Sequence, residues 1–421
     1  KIIIKMKKPI LILVTFVALV FTGCMNDEAP PILEDPGNSG NLENNTVSVS
    51  GMISESTTWT NDNIYVLNQK VVVPSGVVLT IQAGTIIKGT EGTGSLASAL
   101  IVAQGGKLNA VGTATEPIIF TSINDNIEIG QTAGTNLNET NSGLWGGLIV
   151  LGYAPSSFSG DVEVVQIEGI PADDTFGLYG GTDASDNSGV YQYISIRHGG
   201  ALIGEGNEIN GLTLGGVGSG TIIENIEVVA NVDDGIEFFG GTVNASNLLV
   251  WAQGDDALDI DQAYSGTIDN AVVILGANSD HAFEIDGPEG TTTGSFTLKN
   301  ATIVGNSVTE NGEYADYRSG ATGRTENIYA YGFKDSSDVE LDNDGVATNY
   351  NDGLLTFGAW EIVLPAGVSE VTDIFINKAA SVEVNGFGST ATAVAQGAGT
   401  VGATTSLLSW TYANAKAELG F

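Results

Sequence analysis

Glu224-Asn225-Ile226-Glu227-Val228-Val229, Ser246-Asn247-Leu248-Leu249-Val250-Trp251 and Asp269-Asn270-Ala271-Val272-Val273-Ile274 are three versions of one short phrase. Lys299-Asn300-Ala301-Thr302-Ile303-Val304 and Glu326-Asn327-Ile328-Tyr329-Ala330-Tyr331 are two more. Each sets an Asn ahead of a short apolar run of the kind that forms a strand. The Asn-to-Asn steps are 22, 23, 30 and 27 residues. Self-similarity at roughly this period marks a solenoid, one supersecondary unit per repeat. The shortest step fits one minimal coil of a parallel β-helix, and the longer ones fit coils with loops bulging from a corner. Stacked Asn side chains at that corner hydrogen-bond along the axis and satisfy amides where the chain must bend.

The same texture extends towards the N-terminus. Tyr65-Val66-Leu67, Val71-Val72-Val73 and Val77-Val78-Leu79-Thr80-Ile81 are short strand-like runs, with Pro74-Ser75-Gly76 and Ala83-Gly84 turning the chain between them. Ala99-Leu100-Ile101-Val102, Lys107-Leu108-Asn109-Ala110 and Pro117-Ile118-Ile119-Phe120-Thr121 continue it. The fold expected is all-β: a right-handed parallel β-helix of the pectate-lyase-like kind over residues 47–421. Leu408, Tyr412, Ala415 and Leu419 fall near one face of a short C-terminal helix, which is expected to cap the open end of the solenoid.

Ahead of the body, Lys1 to Lys8 is basic and Pro9 to Phe21 is an apolar run too short for a comfortable membrane span. It ends in Phe21-Thr22-Gly23-Cys24, which resembles a bacterial lipobox. The reading is a lipoprotein signal peptide over 1–23, lipid attachment at Cys24 and a flexible acidic tether over 24–46. More than one acyl chain on Cys24 gives stable attachment to the outer membrane. Met25-Asn26-Asp27-Glu28 is similar to the surface-export signal of Bacteroidetes lipoproteins, so exposure at the cell surface is expected. Cys24 is the single cysteine, so no disulfide framework exists within the chain.

Acidic residues outnumber basic ones by 50 to 14. Removing Lys1, Lys5, Lys7 and Lys8 with the signal peptide leaves a body of net charge −40. Such a surface repels phosphate backbones, which excludes nucleic acid as a partner and favours cations.

Leu144-Trp145-Gly146-Gly147-Leu148-Ile149-Val150-Leu151-Gly152, Asp186-Asn187-Ser188-Gly189 with Tyr193-Ile194-Ser195-Ile196-Arg197, Glu208-Ile209-Asn210-Gly211-Leu212-Thr213-Leu214-Gly215-Gly216-Val217-Gly218 and Asp233-Asp234-Gly235-Ile236-Glu237-Phe238-Phe239-Gly240-Gly241-Thr242-Val243 form a recognisable set. Together they resemble a family of secreted or surface β-helix proteins common in Bacteroidetes and other marine bacteria. The resemblance runs from about Val47 to the closing Trp410-Thr411-Tyr412-Ala413. It implies the fold and brings no settled biochemical activity with it.

Chemistry concentrates between Asp233 and Asp342. The quartets Ile236-Glu237-Phe238-Phe239, Leu258-Asp259-Ile260-Asp261, Phe283-Glu284-Ile285-Asp286, Ala315-Asp316-Tyr317-Arg318 and Val339-Glu340-Leu341-Asp342 align. Alternate residues of a strand face opposite sides, so the first and third positions enter the core and the second and fourth point outward. Glu237, Asp259, Glu284, Asp316 and Glu340 then form one outward row, and Phe239, Asp261, Asp286, Arg318 and Asp342 another. Asp233-Asp234, Asp255-Asp256 and Asp280-His281 precede the strands in register. Carboxylates stacked at the spacing of neighbouring strands repel, and a cation, Arg318, raised pKa values or solvation must offset this. Calcium, which takes six to eight oxygens in loose geometry, is the expected cofactor, at Asp233, Asp234, Glu237, Asp255, Asp256, Asp259, Asp261, Asp280, Glu284 and Asp286. The other two readings of the row are a plain solvated acidic face and a catalytic site.

The catalytic reading rests on Asp255, Asp256 and Asp259, because paired carboxylates cleave glycosidic bonds. Asp255-Asp256 and Asp233-Asp234 are similar to the paired Asp of polygalacturonases. The companion Gly-His-Gly and Arg-Ile-Lys motifs of that family are missing. His198 and His281 are the only histidines, and basic clamps for a uronate are scarce. Arg197-His198-Gly199-Gly200 reads as a strand end and turn. Gly215 to Gly220 lacks the Lys of a phosphate loop. Trp145, Trp251, Phe239 and Trp360 are candidates either for stacking on sugar rings or for packing. The function expected is a surface-anchored binding or adhesion scaffold, calcium-stabilised, with a glycan or an outer-membrane protein as partner. The alternatives are a polysaccharide-degrading hydrolase or lyase and a purely structural outer-layer protein.

Overall fold

The structure, a computed structural model, describes residues 45–171, 174–202, 208–308, 312–417 and 419–420. Cys24, the signal segment 1–23 and most of the tether lie outside these residues. Asn45 and Thr46, assigned to the tether from sequence, already belong to the first strand, Asn45–Met52.

The described residues form one 25-stranded sheet in which the paired strands run parallel, with an antiparallel pair, Val165–Gln166 and Leu178–Tyr179, in a side loop. The strands stack in three columns. Ile222–Val229 shows the plan: its first half pairs with Asn244–Ser246 and its second half with Leu248–Trp251, while Ile236–Phe239 makes the third side and pairs with Leu258–Asp261. The next coil follows the same course through Thr267–Ile274 and His281–Ile285. This is a parallel β-helix, as the repeat period requires.

Asn makes the corner between the first and second columns. Asn225, Asn247, Asn270, Asn300 and Asn327 all have φ between 57° and 65°, in the left-handed region that Asn tolerates better than most side chains. Asn270 donates to Asn247 Oδ1 at 2.8 Å and Asn327 to Asn300 Oδ1 at 2.9 Å, along the axis. Asn300 turns instead to Asp269 Oδ1 at 2.7 Å. The five phrases that open the sequence reading are therefore one conformational device, repeated.

Inward residues from all three columns, such as Ile223 and Ile268, Ile226 and Val228, and Ile236, Phe238, Leu258 and Ile260, fill one continuous core. The outward faces are also partly covered. Val229, Leu249, Trp251, Val272 and Ile274 point away from that core and are buried beneath Leu408, Tyr412 and Ala413. The C-terminal helix is present as Tyr412–Lys416, but it lies on the flank of these middle coils rather than across the end of the solenoid. The reason is the apolar stripe on the second column, which loses its contact with water under this segment. The segment leading to the helix is pinned as it passes: Ala403 N donates to Thr302 Oγ1, Thr404 N to Asn270 Oδ1 and Ala413 N to Glu227 Oε1.

The third column is covered in its early coils. Val72, Ile101 and Ile149 face outward and are buried under Phe158, Ile167, Ile170 and Tyr179 of the loop that follows Leu151. That loop also covers Phe239. Trp145 and Trp360 are core, and Trp251 packs on Tyr412. All four candidate sugar-stacking aromatics are thus buried packing residues.

Candidate functional site

Where the apolar part of the third column ends, the carboxylates begin. Strand register places Thr213, Glu237, Asp259, Glu284, Asp316 and Glu340 side by side in one row, coil after coil. Three residues before the row, Asp234 Oδ1 accepts from Asp256 N at 2.9 Å, and Asp256 Oδ1 accepts from His281 N at 2.8 Å. His281 in turn aligns with Glu313. The expected register of the acidic quartets and of the aspartates ahead of them is the observed one.

The solvated-face reading does not survive. Asp234, Glu237, Asp256, Asp259, Glu284, Asp316 and Glu340 are between 4% and 8% exposed. They point away from the apolar core, yet neighbouring coils and loops close over them. Burial together with like charge disfavours the ionised form, and several carboxyls of the face are pushed up accordingly. Burial, then the charges of Asp259, Asp256 and Asp233, pushes Asp234 well above the usual carboxylate range. Burial and Asp259, Asp234 and Glu168 do the same to Glu237. Burial with Asp256, Asp261 and Asp286 raises Asp259, against the pull of Arg318. Asp233 and Asp261 are pushed up to about 7 and Asp255 to about 6, in each case chiefly by burial.

Three groups of these side chains converge so that one ligand atom from each lies within 4.8 Å of the others: Asp233, Asp234 and Asp255; Asp234, Glu237 and Asp259; and Asp256, His281 and Glu284. Glu313, Asp338 and Glu340 make a fourth. Asp261, Asp280 and Asp286 fall in none of them. The Asp234–Glu237–Asp259 group is the most enclosed. Asn210 donates to Glu237 Oε2, and Asp259 Oδ1 is buried with no hydrogen-bond partner among the described residues. Oxygens on opposite sides of one calcium ion stand about 4.8 Å apart, so three carboxylates this close fit around a single ion.

Further along the row the protein supplies its own cations. Arg318 pairs with Glu284, with Asp286 at 2.6 Å and with Asp316 at 3.9 Å. Lys378 pairs with Glu340 and with Asp338 at 3.7 Å. His281 stands between the two regions, with Nδ1 2.8 Å from Asp256 Oδ1. Burial works against its charge, but the Asp256 hydrogen bond and the charges of Asp256, Asp280 and Asp316 push it up to about 9.

Sequence reading did not find Glu168, Glu313, Asp338 or Lys378. Glu168 comes from the covering loop and acts on Asp233 and Glu237 across more than sixty residues of chain. No local pattern marks it. Glu313 was within reach, because it precedes Ala315-Asp316 as His281 precedes Phe283-Glu284.

Among solved structures the chain is similar to the pectin methylesterase of Aspergillus niger, at 12% identity and a TM-score of 0.32, over 85% of this chain and 88% of that one. It is also similar to the enzymatically active domain of bacteriophage CBA120 tailspike protein 2, at 12% identity and a TM-score of 0.25, over 70% of this chain and 43% of that one. Likeness at this level carries no statement about activity. No protein of curated function matches the chain. The family model described as a pectate-lyase-like β-helix domain matches residues 51–414, and the chain belongs to that family.

Proposed function

We propose that the protein is a lipid-anchored, surface-displayed β-helix scaffold that binds calcium on its acidic face. The observation that carries the reading is the Asp234–Glu237–Asp259 group: three buried carboxylates within reach of one ion, one of them with an orphaned oxygen. A buried carboxylate oxygen without a partner is expensive, and a hard divalent cation satisfies all three at once. The basic, apolar, Cys24-terminated N-terminus supports export and anchoring in the outer membrane. Extracellular calcium modules work at about 10⁻⁴–10⁻³ M, which suits a loosely built site of this kind. A neutral glycan or an outer-membrane protein is the partner most compatible with so acidic a body.

The test is thermal unfolding of the full chain in chelator and in calcium at about 1 mM. The melting temperature should rise with calcium in the native protein and stay flat in the Asp259→Asn, Glu237→Gln double variant. A native protein indifferent to calcium ends this reading. A second reading, hydrolysis of a polysaccharide through Asp255, Asp256 or Asp259, draws on Asp255, which burial pushes up to about 6, since a general acid must carry its proton at working pH. Release of reducing ends from neutral glycans, lost in Asp256→Asn, would establish it. Lack of turnover on a broad panel would set it aside.

A further inference from the structure

We propose that Asp256, His281 and Glu284 form a second, chemically different metal site, one that takes a first-row divalent cation such as zinc rather than calcium. The inference goes beyond the calcium reading and does not depend on it, because the donor set differs: one imidazole nitrogen with two carboxylate oxygens. Imidazole suits zinc, iron, nickel and copper, whereas calcium prefers oxygen throughout.

The three side chains already converge, with Glu284 presenting Oε2 to His281 while its Oε1 pairs with Arg318. His281 Nδ1 lies 2.8 Å from Asp256 Oδ1 and 3.7 Å from Glu284 Oε2, and one ligand atom from each of the three side chains lies within 4.8 Å of the others. Ligands bound at about 2.1 Å in a tetrahedron stand about 3.4 Å apart, so the two observed edges bracket the required one. The elements holding them are rigid. Asp256 and His281 are neighbours on adjacent coils, tied by the His281 N to Asp256 Oδ1 hydrogen bond, and Glu284 sits three residues beyond His281 in the same strand, His281–Ile285.

Two further observations point to an ion at this place. Glu313 Oε2 lies 4.0 Å from the other ring nitrogen, Nε2. A carboxylate behind the far nitrogen of a metal-bound imidazole is the usual means of fixing its orientation. Asp316, beside Glu284 in the row and 6% exposed, has an Oδ1 with no hydrogen-bond partner among the described residues, and its charge acts on His281. A divalent ion at His281 would bring positive charge beside the partnerless Oδ1, where Arg318, at 3.9 Å, serves only the other oxygen, Oδ2.

The test uses the full chain with excess calcium present, so that the all-oxygen group is filled. Cobalt(II) is titrated as a spectroscopic stand-in for zinc and followed by its visible absorption, and zinc is then used to displace it. One saturable equivalent is expected, displaced by zinc and retained in Asp259→Asn. His281→Gln and Glu284→Gln should each abolish the saturable band, while circular dichroism confirms that both variants remain folded. Glu313→Gln should weaken binding roughly tenfold or more without changing stoichiometry. The proposal is overturned by the absence of a saturable band, by its displacement with calcium, or by its survival in the folded His281→Gln, Glu284→Gln double variant. Loss of the calcium response in Asp259→Asn with an intact cobalt band separates failure of one site from failure of the other.

Discussion

Glu237 and Asp259 stand next to Glu284 and Asp316 in one row on one face of one column, and the two pairs are treated in opposite ways. Around Glu284 and Asp316 the chain places Arg318, and one coil further on Lys378 reaches Glu340. Around Glu237 and Asp259 it places more carboxylates: Asp234, Asp256, Asp261 and, from the covering loop, Glu168. The backbone is equivalent in both regions, so strand stacking does not decide the outcome. Stacking identical coils forces like charges together, and each coil must then find a counter-charge, hold protons or bind an ion. One half of the row carries the first solution in its own sequence. In the other half burial and like charge push Asp234, Glu237 and Asp259 up instead, and it is there that the calcium ion is proposed.

The largest test of that contrast is Arg318→Ala. Removing the cation leaves Glu284, Asp286 and Asp316 facing one another with little water. Breaking a buried ion pair from one side costs about 3–5 kcal/mol, and the partial exposure of Arg318 reduces this to about 2–3 kcal/mol. Urea unfolding in chelator should show the loss. Calcium should restore part of it, because the lower half then resembles the upper one. A loss unchanged by calcium would mean that the two halves are not interchangeable in the way their backbones are.

Asp259→Asn asks the complementary question. In chelator burial and the neighbouring carboxylates push Asp259 up and disfavour its charged form, so a neutral amide of the same shape should alter stability by less than about 0.5 kcal/mol. In calcium at a hundred times its dissociation constant the native protein gains about 2.7 kcal/mol, which the variant forfeits. Unfolding measured with and without calcium separates the two effects. An equal change in both conditions would place Asp259 among merely structural residues.

The contrast also has a pH dependence, with a definite sign. Asp233 and Asp261 titrate at about 7 in the folded chain against an ordinary value of 3.8. Groups raised on folding stabilise fully below the unfolded value, and that contribution is lost as pH rises through the folded one. His281, raised from 6.5 to about 9, adds the same sign at higher pH. Metal-free protein should therefore lose stability as pH rises from 5 to 8, at up to about 1.4 kcal/mol per pH unit for each such group. Calcium should flatten or reverse the slope, because the ion favours the ionised carboxyls. Melting temperatures across that range, in chelator and in calcium, check both halves of the statement.

Much of this was legible in the chain before its fold was known. The Asn phrases fixed the coil period because one αL corner recurs at Asn225, Asn247, Asn270, Asn300 and Asn327. The alternation within Leu258-Asp259-Ile260-Asp261 and its neighbours fixed which side chains share a row, because the strand period of two leaves no other choice. Two things escaped. One is the burial of that row, which depends on loops and neighbouring coils rather than on the strands. The other is the path of the C-terminal segment, drawn onto the flank by Leu249, Trp251, Val272 and Ile274. Both are long-range packing choices, and local periodicity holds no record of them.

Asn210 offers the smallest and most discriminating change. It occupies, one coil earlier, the place that Asp234 and Asp256 hold on theirs, and it is the neutral member of that series. Its Nδ2 donates to Glu237 Oε2 and its Oδ1 accepts from Asp234 N at 3.3 Å. Asn210→Asp keeps the acceptor and replaces the donor with another carboxylate oxygen. In chelator the lost hydrogen bond to Glu237 is partly recovered by a proton shared between the two carboxyls, and the change should cost about 1 kcal/mol. In calcium the added oxygen becomes a ligand, and affinity should rise by up to about tenfold, or about 1.4 kcal/mol. The same substitution should thus weaken the protein without the ion and strengthen it with the ion. A variant that is destabilised equally in both conditions would show that Asn210 only pegs the turn and that no ion sits beside Glu237.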